Sequence, residues 1–159
     1  MSKTPQKLHF AHLSSEELGI ELKRLIYPKI SVEAYVDHDP SEDHGEASFK
    51  AVANALYEKE DSLLHVNFFL SIDEENRDNH PYKFDIHCYI CASIAHNFSE
   101  YDDLKRQSTF IILGTMLVGS MREMVCTLTS RGPWDAVLMP SLNIDELVLN
   151  LMQNYTEID

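Results

Sequence analysis

Long runs of strict apolar/polar alternation fill the first hundred residues, a proline-free helical span follows Tyr101, and one apolar stripe at helical spacing closes the chain. These three observations predict an α+β fold: a four-stranded antiparallel sheet followed by two helices. The first strand region runs from about Ile20 to Tyr35 and is broken near Pro28, which suits an edge strand or a bulge. The second, Ala47 to Tyr57, sets Phe49 and Tyr57 opposite Glu46, Lys50 and Glu58. In the third, from Asp61 to Ile72, Leu64, Val66, Phe68, Leu70 and Ile72 share one face, with His65, Asn67 and Ser71 on the other. The fourth, from Pro81 to Ile94, alternates Tyr82, Phe84, Ile86, Cys88, Ile90, Ala92 and Ile94 with Lys83, Asp85, His87, Tyr89 and Ser93. Side chains alternate faces along a strand, so each run describes a strand with one buried face. The intervening DHDPSEDHGE, KED and EENRDNH are turn-like, and connections this short join antiparallel neighbours.

The first helix spans about Leu104 to Ser130 and stops at Arg131-Gly132-Pro133. Between Phe110 and Val118 its apolar residues run almost all round, which predicts burial on every side and hence between subunits. The last helix places Ile144, Leu147, Val148, Leu151, Met152 and Tyr155 on one stripe, behind Asn143 and Glu146 spaced as a capping box. No repeat or low-complexity segment divides the chain. Residues 1–17 read as a flexible N-terminal segment, 18–155 as one domain and 156–159 as a short tail.

At 159 residues the chain is long enough to bury a core without staples. Its 13 basic against 26 acidic residues give −13, which repels phosphate backbones and anionic lipid and attracts basic surfaces or basic unfolded chains. Nucleic acid is therefore excluded as a partner. The N-terminus has no signal-peptide run, and Phe110–Val118 is about half the roughly twenty residues a membrane span needs. Three cysteines fit a reducing compartment rather than a disulfide framework. The expectation is a soluble cytoplasmic protein with no membrane insertion.

Few constellations carry chemistry. Cys88 and Cys91 have the spacing of a redox or zinc pair, but strand residues three apart face opposite ways, and Cys126 is the only other thiol. They read as a packed Cys88 and a half-exposed Cys91. His38, Asp39, Glu42, Asp43 and His44 lack a metal-loop pattern and read as a solvated, mobile acidic loop. No phosphate-cradling loop or nucleophile elbow is present. The reading is a non-enzyme with no cofactor and no metal site. Glu33 and Asp85 lie on polar strand faces, solvated or available to a basic partner. The apolar loop in RGPWDAVLMPSLNIDEL, Arg131 to Leu147, lies down on its own core or serves binding.

Two stretches resemble SecB, the bacterial protein-export chaperone family. LKRLIYPKISVEA, Leu22 to Ala34, is similar to the family's opening strand segment. The block from Arg122 through TSRGPWDAVLMPSLNIDELVLNLMQ resembles the end of its long helix, its helix-connecting loop and its final helix. The likeness covers about residues 18 to 153. It implies an ATP-independent holdase for unfolded preproteins, a homotetramer built as a dimer of dimers, and long helices sandwiched between sheets. It also implies that Trp134, Val137, Leu138, Met139 and Leu142 line a hydrophobic client groove, stiffened by Pro133 and Pro140. Delivery to the SecA motor would use Glu33 and Asp85 on the outer sheet face. The chain departs from the family pattern at Lys29, at Lys83, at Gly119-Ser120-Met121 and in a polar tail cut to about YTEID. Those departures bear on SecA docking and open an alternative: a SecB-like chaperone dedicated to the antitoxin of a toxin–antitoxin pair. A reading of another class is a non-chaperone oligomeric scaffold whose loop packs only on itself, or an enzyme with an unrecognised site.

Overall fold

The computed structural model describes residues 13–43, 49–139 and 142–159. Its elements are β1 (Ile20–Ala34), β2 (Phe49–Glu58), β3 (Leu63–Ile72), β4 (Tyr82–Ile94), α1 (Asp103–Thr129), α2 (Ile144–Gln153) and β5 (Tyr155–Ile158). The α+β class and the two helices stand. The sheet, however, has five strands in the order β1-β4-β3-β2-β5, not four, and is mixed, because β5 pairs parallel to β2. Two residues on which strand periodicity was read, Glu46 and Ala47, lie outside the described residues, as do His44, Pro140 and the first twelve residues.

The fifth strand arises where the last helix was expected to continue. Tyr155 falls on the helical stripe, but α2 ends at Gln153 and the Asn154 side chain donates to the Ala53 carbonyl at 3.2 Å. That bond turns the chain down onto the edge of β2, where Ala55 N–H donates to the Asn154 carbonyl at 3.2 Å. The expected tail 156–159 is thus mostly strand. At the other end, the described part of the expected flexible segment is a hydrogen-bonded turn. Ser14 N–H donates to Glu17 and Glu17 N–H to the Ser14 hydroxyl, and Leu18 behind them is fully buried.

The inner sheet face is the alternating set read from the sequence. Val66, Phe68, Phe84, Ile86 and Ile90 pack against Phe110, Leu113, Leu117, Met121 and Val125 of α1 and Leu147 and Leu151 of α2. Each such side chain, fully buried, contributes about 1.5–3 kcal/mol. β1 is an edge strand, and its register with β4 shifts between Ile26 and Lys29, around Pro28, as a proline without an N–H requires. Across that shift the Tyr27 hydroxyl is hydrogen-bonded to Ser120 on α1, and burial pushes the tyrosine up to about 12.

Within this single chain α1 is buried on one side only. One face is in the core, while Leu104 and Met116 are 51% and 40% exposed, and Thr115 and Gly119 face outward with them. By length and composition α1 is also apolar enough to cross a bilayer, further than Phe110–Val118 alone suggested. A core helix of a soluble protein passes the same test.

Candidate functional site: a loop between two hollows

The segment leaving α1 is held at its start by a buried hydroxyl pair. The Tyr82 hydroxyl accepts from Trp134 N–H at 3.0 Å and donates to the Trp134 carbonyl at 2.9 Å, with the Thr129 carbonyl at 3.2 Å. Thr129, fully buried, takes the Val137 N–H on its hydroxyl oxygen at 2.8 Å and donates back to the Val125 carbonyl. Gly132 is required here because a Cβ at that position would lie 2.4 Å from the Tyr82 hydroxyl. Thus the Ser-Arg-Gly turn exists to let the chain pass over Tyr82. Neither Tyr82 nor Thr129 stands out in the sequence as part of a site; the signal that could have led there is a tyrosine on the inward face of a strand, whose buried hydroxyl needs a partner.

Beyond this latch the five apolar loop residues divide. Val137 and Met139 are each 6% exposed and sit in the core, whereas Leu138 between them is 80% exposed. Trp134 and Leu142 are half-buried against the core. Trp134 is fixed further by its indole N–H, which donates to the Tyr35 carbonyl at 3.1 Å, and by the His38 ring edge-on at 4.9 Å. The five residues therefore form a ridge with two buried anchors and three surfaces available to a ligand: Trp134, Leu138 and Leu142.

A hollow lies on each side of the ridge. On the Trp134 side is one of about 660 Å³ lined by Trp134, Ala136, Val137, His38, Glu42, Asp43 and Asp135, which makes its rim strongly acidic. On the Leu142 side, between α2 and β2, is one of about 210 Å³ with Phe49, Ala51, Ala53 and Phe68 on the sheet and Leu142 and Leu147 opposite. Its rim is Asn143, Glu146 and Asn150.

The described part of the acidic loop beside the larger hollow, as far as Asp43, is hydrogen-bonded to the turn before β4. Asn79 accepts from Asp39 N–H and donates to the carbonyls of Asp39 and Glu42, His38 is bonded to the Asn79 carbonyl, and Arg77 is paired with Asp37. That guanidinium holds the Asp37 carboxyl below the usual carboxylate range. The cysteine pair splits as the strand geometry demands, with burial pushing Cys88 up to about 11. Cys91 is buried too, not half-exposed, because it sits between Arg24 and His65 in the sheet register, beside Tyr89.

Glu33 and Asp85 share the outer sheet face, and a lysine stands beside each. Asp85 is ion-paired with Lys29, and Glu33 stands directly opposite Lys83, which itself bridges to Glu74 at 2.7 Å. Lys29 and Lys83 are two of the positions where the chain departs from the SecB pattern.

No protein-family model and no curated protein sequence matches the chain. Among solved structures it is similar to the SecB-like chaperone Rv1957 of Mycobacterium tuberculosis, solved in complex with a ChAD peptide from the Rv1956 HigA1 antitoxin. The TM-score is 0.56 at 14% identity, over 78% of this chain and 91% of that one. A protein of unknown function from Streptococcus agalactiae matches with a TM-score of 0.44 and 8% identity, over 77% of this chain and 97% of that one. From the sheet, the two helices and the likeness to Rv1957, the fold is SecB-like.

Proposed function

We propose that this protein is an ATP-independent chaperone that holds an unfolded polypeptide along the ridge Trp134–Leu138–Leu142, and that its client is an antitoxin. The observation that carries this reading is the ridge itself. Leu138 stands 80% exposed between two residues buried to 6%, with a hollow on either side, so apolar surface is held out to solvent by rigid anchors. Burial of apolar area is non-directional and suits clients without a fixed sequence. The acidic rim at Glu42, Asp43 and Asp135 favours clients carrying basic residues near their apolar ones. No nucleotide, metal or catalytic step belongs to this reading, and its compartment is the cytoplasm.

Two observations favour an antitoxin over an export precursor. The neighbour Rv1957 is bound to an antitoxin peptide. In addition, of the two acids through which SecA docking was expected, Asp85 is ion-paired with Lys29 and Glu33 stands opposite Lys83. The same reading includes a homotetramer: the outward face of α1, with Leu104, Thr115, Met116 and Gly119, would pack against other copies, as its all-round apolar character asks.

The test is the refolding of a slow-folding, chemically denatured protein with an equimolar amount of this one and no nucleotide. Retardation is expected. An unchanged rate would move the account to an oligomeric scaffold whose loop is structural. Suppressed aggregation of an antitoxin, with no affinity for SecA, would assign the client class; the converse would assign export.

A further inference from the structure

The smaller hollow lies beneath an unfinished sheet edge. In the β2–β3 register Ala55 sits opposite Val66, and Ala55 N–H points away from β3 to donate to Asn154. Backbone groups alternate direction along a strand, so those of Ala53, Ala51 and Phe49 point to that same outer side. β5 covers only Ala55 to Glu58. Asn154 takes the Ala53 carbonyl with its side chain, and there the cover stops. Among the described residues no strand lies on the edge of Phe49, Ala51 and the Ala53 N–H. The side chains of these three residues, with Phe68 of β3, form the sheet wall of the 210 Å³ hollow, whose far wall is Leu142 and Leu147. Two alanines in succession on one face leave that trough deep.

We infer that a client segment adds to the sheet as an extra strand along Phe49–Ala53, in line with β5, and drops alternate apolar side chains into the hollow. Only an extended polypeptide backbone offers donors and acceptors at the spacing of that edge. The other half of the same edge is already completed by an extended segment of this chain. Five residues of strand span roughly 17 Å at about 3.3 Å per residue, enough for two side chains to point inward. Backbone pairing supplies affinity without sequence demands, and Glu146 on the rim favours a basic neighbour. This inference rests on the proposed holding of unfolded polypeptide and states how part of that client is gripped.

The probe is reduced, carboxymethylated α-lactalbumin, a permanently unfolded chain, and the readout is residue-resolved amide hydrogen exchange of the full protein. With saturating probe, the amides of Ala51 and Ala53 are expected to slow at least tenfold. Those of Lys50 and Val52, already in the β3 ladder, should change little. Ala51→Pro removes an edge N–H that β3 does not use, so the fold should tolerate it, and it should weaken probe binding at least fivefold. If the probe binds the wild type while exchange at Ala51 and Ala53 stays fast, strand addition is overturned and the holdase reading survives. Unchanged affinity of a folded Ala51→Pro variant does the same. If the wild type binds no probe at all, both fall together.

Discussion

The two flanks of the sheet are built differently. On the β1 side the helix-bearing face is broad and apolar: Leu22 and Ile30, opposite the inward Ala92 and Ile86, are each exposed by a little over 40%, and the open face of α1 with Met116 adds to the exposed apolar surface. The strand there is bulged twice and carries charge on Glu21, Lys23, Arg24 and Lys29. On the β2 side the exposed strip is short and regular, with backbone groups open and a narrow hollow beneath. A wide, irregular, apolar surface suits a second copy of a folded chain. A short straight edge over a slot suits an extended one. In the proposed account the first flank assembles the protein and the second grips the client.

That division breaks most visibly by mass. Met116→Glu puts a charge on the outward face of α1 without touching the protomer core. Sedimentation should show the assembly falling apart into smaller species while circular dichroism stays native. An unchanged mass would remove α1 from the assembly surface. Next comes Gly132→Ala, which forces a Cβ onto the Tyr82 hydroxyl. Overpacking of this kind costs about 1–3 kcal/mol, to be read from urea unfolding. Client affinity should fall with it, because the latch positions Trp134. A smaller and cleaner effect is expected of Leu138→Ser: the side chain is 80% exposed, so stability should hold while client affinity drops several-fold by titration calorimetry.

The least of these effects tests the sheet away from both flanks. His87 stacks on Phe69 at 4.2 Å between ring centroids and bonds to Asn67, and burial lowers its pKa. The unfolded chain then binds the proton more readily, so the contribution is complete above the ordinary histidine value of about 6.5. It is lost as pH falls through the lowered value. Melting temperature should be flat above about pH 6.5 and decline as pH falls from there through the lowered value, and His87→Gln should flatten part of the decline.

The first four strands and both helices were legible because their apolar patterns persist over many residues. The long alternation of Tyr82 to Ile94 leaves one choice of buried face, and the stripe from Ile144 to Met152 leaves one helix face. β5 was not legible, since four residues are too few to alternate detectably and Tyr155 also fits the helical stripe. It is held by contacts about a hundred positions away in the chain, the Asn154 side chain on the Ala53 carbonyl and the backbone pairing with β2. The candidate site shows the same split. Apolar residues between prolines flagged the ridge, but which of them point outward depends on Thr129 and Tyr82, whose roles have no spacing to read. Likewise Glu33 and Asp85 were visible as strand carboxylates. That Lys83 stands opposite one and Lys29 pairs with the other follows from the β1–β4 register, set partly by the bulge at Pro28.

The central claim is that the ridge receives unfolded polypeptide. The most direct measurement is site-specific photo-crosslinking to a denatured client, with the photoreactive residue in place of Leu138 on the ridge or of Ile26 on the outer sheet face. Both positions are exposed and apolar. The account predicts strong crosslinks from position 138 and few from position 26. Equal yields, or none from position 138 while the client is retained, would contradict it.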